Sequence, residues 1–335
     1  MDVDYVIVGA GAAGCALAER LSADPAVRVL LLEAGGAGRS PLLEVPKAFA
    51  VTMRRPSYAV RYPVHPPRER ARHAGQGEEV WLRGQGLGGS TLINGMVYMR
   101  GAAADYDGIE AAGNPGWGWT AMLREFRALE DHALGPSPVR GVGGPVGVSV
   151  PTSDDPVVTA TLAAARARGL TRVVDVNDGD DPRIGFTPST IAQGRRVSAA
   201  SAFLRRARAR PNLTVLTHAR VGFLLLAGRR VVGVRASHRG RVRDHRVRRE
   251  VILAAGALES PLILERSGIG DPAVLARAGI AARVERPGVG EGLIEHRGVS
   301  VHARVREDLR HPLSRLPGQV GAGAAYLAGR RGPLA

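Results

Sequence analysis

The residues of this chain best placed to do chemistry are marked by missing side chains. GAGAAG puts Gly9, Gly11 and Gly14 around Ala12 and Ala13, and Glu33 follows nineteen residues after Gly14. Each part has a mechanical use. Gly9 permits a tight turn, Gly11 lets the main chain approach a pyrophosphate, and Gly14 lets a helix pack closely on a strand. The helix that opens there offers positive potential to phosphates, and Glu33 could accept hydrogen bonds from ribose hydroxyls while repelling a 2'-phosphate. This spacing predicts dinucleotide binding and leaves NAD and FAD equally open.

A second stretch, RGQGLGGSTLINGMVYMRG from Arg83 to Gly101, holds six glycines in nineteen residues and no acidic residue. Such bare backbone suits a chain that must lie directly against a large ligand. A third glycine turn comes at Ala255 and Gly256, after the apolar run from Glu250 to Ala255 and before a helical pattern. The Asp-rich DVNDGDD (Asp175 to Asp181) lacks the spacing and terminal Glu of a calcium loop, so a solvated turn is expected. The single cysteine, Cys15, can form neither an internal disulfide nor a Cys-rich metal site, so redox chemistry would fall to a cofactor.

Elements able to position these turns can be read from periodicity. Tyr5–Val8, a helix over Ala16–Ala23 and Val27–Leu32 form a β-α-β unit, which implies a doubly wound parallel sheet. Residues 37–77 are rich in Pro and Arg and predict long surface segments. Thr120 is the expected N-cap of an amphipathic helix, 136–151 a Gly/Pro linker, and Asp155 the start of a helix closed by Gly169. Leu213–Val215, Val221–Leu226, Val231–Ala236 and Arg241–Val247 read as an antiparallel meander, followed by a separate strand over Glu250–Ala255. Ser260 and Pro261 are the expected cap and first turn of a helix that stops at Gly268.

Together with EAGG (Glu33–Gly36), GNPGWGW (Gly113–Trp119), PGVGEGLIEH (Pro287–His296) and GALESPLILERSGIG (Gly256–Gly270), the Arg83–Gly101 stretch resembles the glucose-methanol-choline (GMC) family of FAD-dependent oxidoreductases, with choline-dehydrogenase-like motifs. The resemblance implies FAD as cofactor. It makes Gly9, Gly11, Ala12, Ala13, Gly14, Glu33, Ala34 and Arg83 cofactor-binding residues and brings Gly88, Gly89 and Ser90 to the phosphates. It sets Asn94, Gly95, Met96 and Val97 by the flavin ring, Val221 by the adenine through its main chain, and Ala255 and Gly256 as a third contact. PGVGEGLIEH carries Gly292 and Glu295 where the family usually has Asn and Asp, and His296 is expected to be structural.

The implied architecture is α/β (α+β overall): a Rossmann-like FAD-binding domain with a β-meander, in segments 1–155 and 206–293, and an incomplete antiparallel-sheet substrate domain in 156–205 and 294–335. The implied reaction is hydride transfer from an alcohol CH–OH to flavin N5, with oxygen or an electron carrier as acceptor. In the family a histidine base takes the hydroxyl proton from a C-terminal region with no counterpart here. None of His65, His73, His132, His218, His238, His245, His302 or His311 stands in a matching context, so no catalytic residue is assigned. The chain therefore reads as the N-terminal part of a longer ancestral protein, the alternative being a non-catalytic flavin-binding remnant or a fragment that needs a separate C-terminal partner.

Composition narrows the remaining classes. The net charge of +15 comes almost wholly from arginine, Lys47 being the single lysine, and no stacking aromatics accompany the arginine runs 195–210 and 239–249. Solvated faces, not nucleic-acid binding, are expected. No apolar run approaches the roughly 20 residues that span a bilayer. The N-terminus lacks the basic region of a secretory signal, and a cytoplasmic location is expected.

Overall fold

A computed structural model describes residues 3–64, 79–296, 298–299, 301–302, 304, 306 and 316–335. The main elements run β1 (Val3–Val8), α1 (Ala12–Leu21), β2 (Val29–Leu32), β3 (Ala59–Val64), β4 (Glu79–Gly84), α2 (Ala103–Ala111), α3 (Trp119–Leu129), β5 (Glu130–His132), β6 (Val146–Val148) and α4 (Pro156–Ala167). They continue β7 (Thr171–Arg172), β8 (Arg183–Ile184), β9 (Ile191–Ala192), β10 (Arg195–Arg196), β11 (Leu213–Leu216), β12 (Ala219–Ala227), β13 (Arg230–His238), β14 (Arg241–Leu253), α5 (Gly256–Arg266) and α6 (Leu316–Gly329).

The chain divides into two compact units. The first comprises Met1–Leu43, Phe49–Asn94 and Ser198–Val299, the second Glu44–Ala48, Gly95–Val197 and Ser300–Ala335. Residues 95–155, expected with the FAD-binding segments, thus group with 156–197. Val97 bridges Ser189 and Thr190 donates its N–H to the Met96 carbonyl at 2.9 Å, which ties the end of the glycine-rich stretch to the second unit.

The first unit is built on a six-stranded sheet in the order β11-β2-β1-β14-β13-β12. β11, β2, β1 and the later half of β14 are mutually parallel, whereas β13 and β12 run antiparallel. Two expectations are corrected here. Leu213–Val215 belongs to the parallel part, paired with β2, and not to the meander. Arg241–Val247 and Glu250–Ala255 are not two strands: β14 is continuous from Arg241 to Leu253, pairing first with β13 and then with β1. The Arg-rich first part and the apolar second part suggest two elements because the environment changes along one strand, from solvent to core.

Val6, Val8, Leu30 and Leu32 pack with Val221, Leu224, Val234 and Ile263 in one buried cluster. Burial of each such side chain favours the fold by about 1.5–3 kcal/mol relative to exposure. On the opposite face α1 sits very close to the sheet. A Cβ at Gly14 would collide with the Gly9 carbonyl and approach Ile7 Cγ2 at 3.4 Å. Of residues 37–77, expected as long surface segments, 65–77 lie outside the described residues, and 37–64 contain β3, which forms an antiparallel hairpin with β4.

α5 begins at Gly256, four residues before the expected Ser260 cap, with Pro261 inside it. The turn at Gly256 (φ 89°) leads directly into the helix, and Pro261 forgoes the bond its N–H would make to the Ala257 carbonyl.

The second unit carries short ladders: β5–β6 and β7–β8 are parallel and β9–β10 is antiparallel. α3 begins at Trp119 with Gly118 as N-cap, not at Thr120, because Asp107 of α2 accepts the Trp119 N–H at 2.9 Å and Tyr106 packs on the Trp119 ring. Asp175, expected in a solvated turn, is buried. Its carboxylate accepts from Arg140 Nη1 at 3.2 Å and from the Asn177 N–H at 3.0 Å. Arg196 is likewise buried, an exception within an otherwise solvated arginine run. Glu130, fully buried, accepts from Tyr98 Oη at 2.8 Å, from the Gly141 N–H at 2.9 Å and from the Arg100 guanidinium.

His132 lies beside this network, its Nδ1 accepting the Leu134 N–H at 3.2 Å. Burial holds the imidazole below its usual pKa, against the pull of the Asp175 and Glu130 carboxylates.

Gly14→Ala is expected to destabilise the first unit by about 1–3 kcal/mol through overpacking, read as a lower thermal midpoint. Because the unfolded chain takes up the His132 proton at higher pH than the folded chain, stability is full above about pH 6.5 and falls as the pH drops through and below that value. His132→Asn, which retains an acceptor for Leu134, should flatten that acid limb in denaturant titrations across pH 5 to 7.

Candidate functional site

β1, β2 and the later half of β14 end side by side, since Val8 is in register with both Leu32 and Leu253. In doubly wound sheets the crevice beyond such carboxyl ends is where ligands bind. Here it is a cleft of about 650 Å³ lined by residues from all three glycine turns. Gly9, Gly11, Ala12 and Ala13 come from the first, Gly89 and Ser90 from the second, and Ala255 and Gly256 from the third. Glu33, Ala34, Arg83 and Val221 complete the expected residues that reach it.

Direct hydrogen bonds join the turns. The Gly88 N–H donates to the Ala10 carbonyl at 2.8 Å and the Leu87 N–H to the Gly36 carbonyl at 3.1 Å. Glu33 binds them a second time. Its Oε2 accepts the Ala10 N–H at 2.8 Å, and its Oε1 accepts the Gly35 and Gly86 N–H groups at 2.8 and 3.0 Å. A carboxylate has about four acceptor sites, so these three bonds leave room for one more donor from the cleft.

The remaining expected residues lie elsewhere. Gly14 serves the contact between α1 and the sheet, and Gly88 (φ 111°) caps the short turn Gly89–Leu92. Asn94 closes that turn through its N–H to the Ser90 carbonyl at 3.0 Å. Gly95, Met96 and Val97 belong to the second unit.

Cys15 is buried under the first turn with Sγ 3.1 Å from the Ala10 carbonyl, and burial pushes its thiol up to about 12. Among the described residues no histidine lines the cleft. His296 is exposed, and His65, His73 and His311 lie outside the described residues. Among the described residues no group of three or more His, Cys, Asp or Glu side chains could hold a metal ion, and no helix is long and apolar enough to cross a membrane.

Cleft residues not anticipated from the sequence include Val60 and Tyr62 of β3, Gln85, Arg220 and Glu259. Glu259 stands within GALESPLILERSGIG, and its position in the first turn of a helix facing the cleft was the available signal. Tyr62 is preceded by Ala-Val-Arg and followed by Pro63, and this gave little indication of a strand.

The fold and the cleft define an α/β protein of the dinucleotide-binding class. A family profile described as GMC oxidoreductase matches residues 3–297, and the chain belongs to that family. It is 39% identical over 321 residues to the oxygen-dependent choline dehydrogenase of Paraburkholderia xenovorans (strain LB400), covering 94% of this chain and 56% of that protein. Among solved structures it is similar to pyridoxine 4-oxidase from Mesorbium loti, at 39% identity and TM-score 0.78, over 85% of this chain and 55% of that one. It is also similar to an FAD-dependent oxidoreductase from Chaetomium thermophilum, at 30% identity and TM-score 0.83, over 99% of this chain and 59% of that one. The chain spans a little over half the length of these relatives.

Glu33→Gln turns one acceptor oxygen into a donor facing a backbone N–H. It is expected to cost about 1–3 kcal/mol of stability without any ligand, measurable by urea unfolding of the purified chain.

Proposed function

We propose that the cleft holds FAD and that the chain serves an oxidoreductase acting on the CH–OH group of alcohols. The observation that carries this reading is that three glycine turns, far apart in the sequence, line a single cleft at the strand ends.

The residues present fit the cofactor. Gly11 has an ordinary backbone conformation (φ −77°), and a Cβ added there would meet no atom within 4 Å. The fold itself does not require glycine at that point, so its bareness serves something that enters the cleft. The N-termini of α1 and α5 both open beside it, and together they direct unpaired N–H groups and positive potential towards a pyrophosphate. Glu33 would receive a ribose hydroxyl at its remaining acceptor site, with Ala34 beside it. Arg83, Gly89 and Ser90 would lie along the phosphates, and Val8, Val221, Leu253 and Ile263 give the cleft apolar walls that keep water from the ligand.

FAD, when bound, would supply the acceptor for a hydride leaving an alcohol carbon. The residues of this chain bind and orient it, and no residue is assigned to take the hydroxyl proton. Similarity to a choline dehydrogenase and a pyridoxine 4-oxidase supports an alcohol as substrate, since choline and pyridoxine are both alcohols.

The test is to purify the chain, record flavin absorbance, and add choline, pyridoxine and short aliphatic alcohols without oxygen. Loss of the oxidised flavin band with any of them supports the proposal. Bound flavin that no alcohol reduces points to a non-catalytic flavin-binding protein, and a chain that takes up no flavin defeats the cofactor assignment. Gly11→Ala is expected to cut flavin content severely while leaving the thermal midpoint of the flavin-free chain unchanged, the opposite of Gly14→Ala.

A further inference from the structure

Two walls of the cleft come from elements with no shared ladder. Among the described residues β3 and β4 pair only with each other, outside the six-stranded sheet, while α5 follows β14 out of that sheet. Among the described residues no main-chain hydrogen bond joins β3 to α5. A side-chain bond does: Tyr62 Oη, on β3, donates to Glu259 Oε1, in the first turn of α5, at 2.8 Å. Both residues line the cleft.

Glu259 is itself held. Its Oε2 accepts from Arg266 Nη2 at 2.9 Å, about two turns further along the same face of α5, and Arg220 Nη1 stands 3.8 Å from its Oε1. Arg220 immediately precedes Val221, so this cluster sits where the β12 wall, α5 and β3 meet.

We propose that Glu259 is a positioning residue which pins Tyr62, and with it the β3 wall, against α5, and that this bond governs how fast a cofactor leaves the cleft. The proposal rests on the reading of the cleft as an FAD site.

The protonation states suit a permanent bond. Burial pushes the Glu259 carboxyl up, but the hydrogen bonds from Arg266 and Tyr62 outweigh it and hold the group below the usual carboxylate range. Burial, then the Glu259 bond, pushes the Tyr62 hydroxyl up to about 12, so donor and charged acceptor persist across neutral pH. Partial shielding from solvent strengthens such a bond.

The test uses the full chain loaded with FAD, with release followed by the rise in flavin fluorescence after dilution. Tyr62→Phe, which removes only the hydroxyl, and Glu259→Ala are each expected to speed release about tenfold, the scale of a lost hydrogen bond to a charged group. The double variant should release no faster than either single one, because both remove the same bond. Glu259→Gln keeps an acceptor for Tyr62 and should restore most of the slow release, which a purely structural role of the Arg266 ion pair would not allow. Release at the wild-type rate in both single variants, or effects that multiply in the double, overturns the proposal while leaving the FAD site standing. A wild-type chain that holds no flavin overturns the FAD reading and the latch together.

Discussion

The carboxylate of Glu33 is the interaction on which the cleft depends. It is almost fully buried, and it gathers N–H groups from Ala10, Gly35 and Gly86, one from each of three separate stretches of chain. Those stretches are poor in side chains, so ordinary apolar packing cannot hold them together. A buried carboxylate is costly unless its lone pairs are satisfied, and the three backbone donors meet that need while the carboxylate meets theirs. The residue expected to face a ribose therefore also acts as a knot between the loops.

The glycines separate into two groups once the structure is known. Gly14 is bare because the fold presses on it, with the Gly9 carbonyl where a methyl would be. Gly11 is bare although a methyl there would meet no atom of the protein. A sequence motif treats the two alike. Only the second kind is evidence for a ligand, and its position at the N-terminus of α1 supplies the electrostatic reason a phosphate would settle there.

Much of this was legible in the sequence. The glycine spacing, Glu33 and the apolar runs at β1 and β2 identify the β-α-β unit without further help, because each demand is local: a turn, a close approach, a period of two. The partners of β11 and β14 were not legible. Pairing in a sheet is decided by residues far along the chain, and the change from exposed arginines to half-buried valine, isoleucine and leucine within β14 imitates a boundary between elements. The buried Asp175, Glu130 and His132 were equally hidden, since a polar residue advertises solvent until its partners are known. At the cleft itself, Tyr62 escaped notice because its strand is short, contains a proline and, among the described residues, pairs only with β4.

The unbroken course of β14 has a consequence for biosynthesis. β1, at the very start of the chain, obtains one of its two neighbours only from β14, in the last third of the sequence. During translation the first β-α-β unit must wait with an apolar strand edge open until that late segment leaves the ribosome, a long-range pairing that is intrinsically slow. The nascent polypeptide thus carries an unpaired strand edge for longer than a local hairpin would.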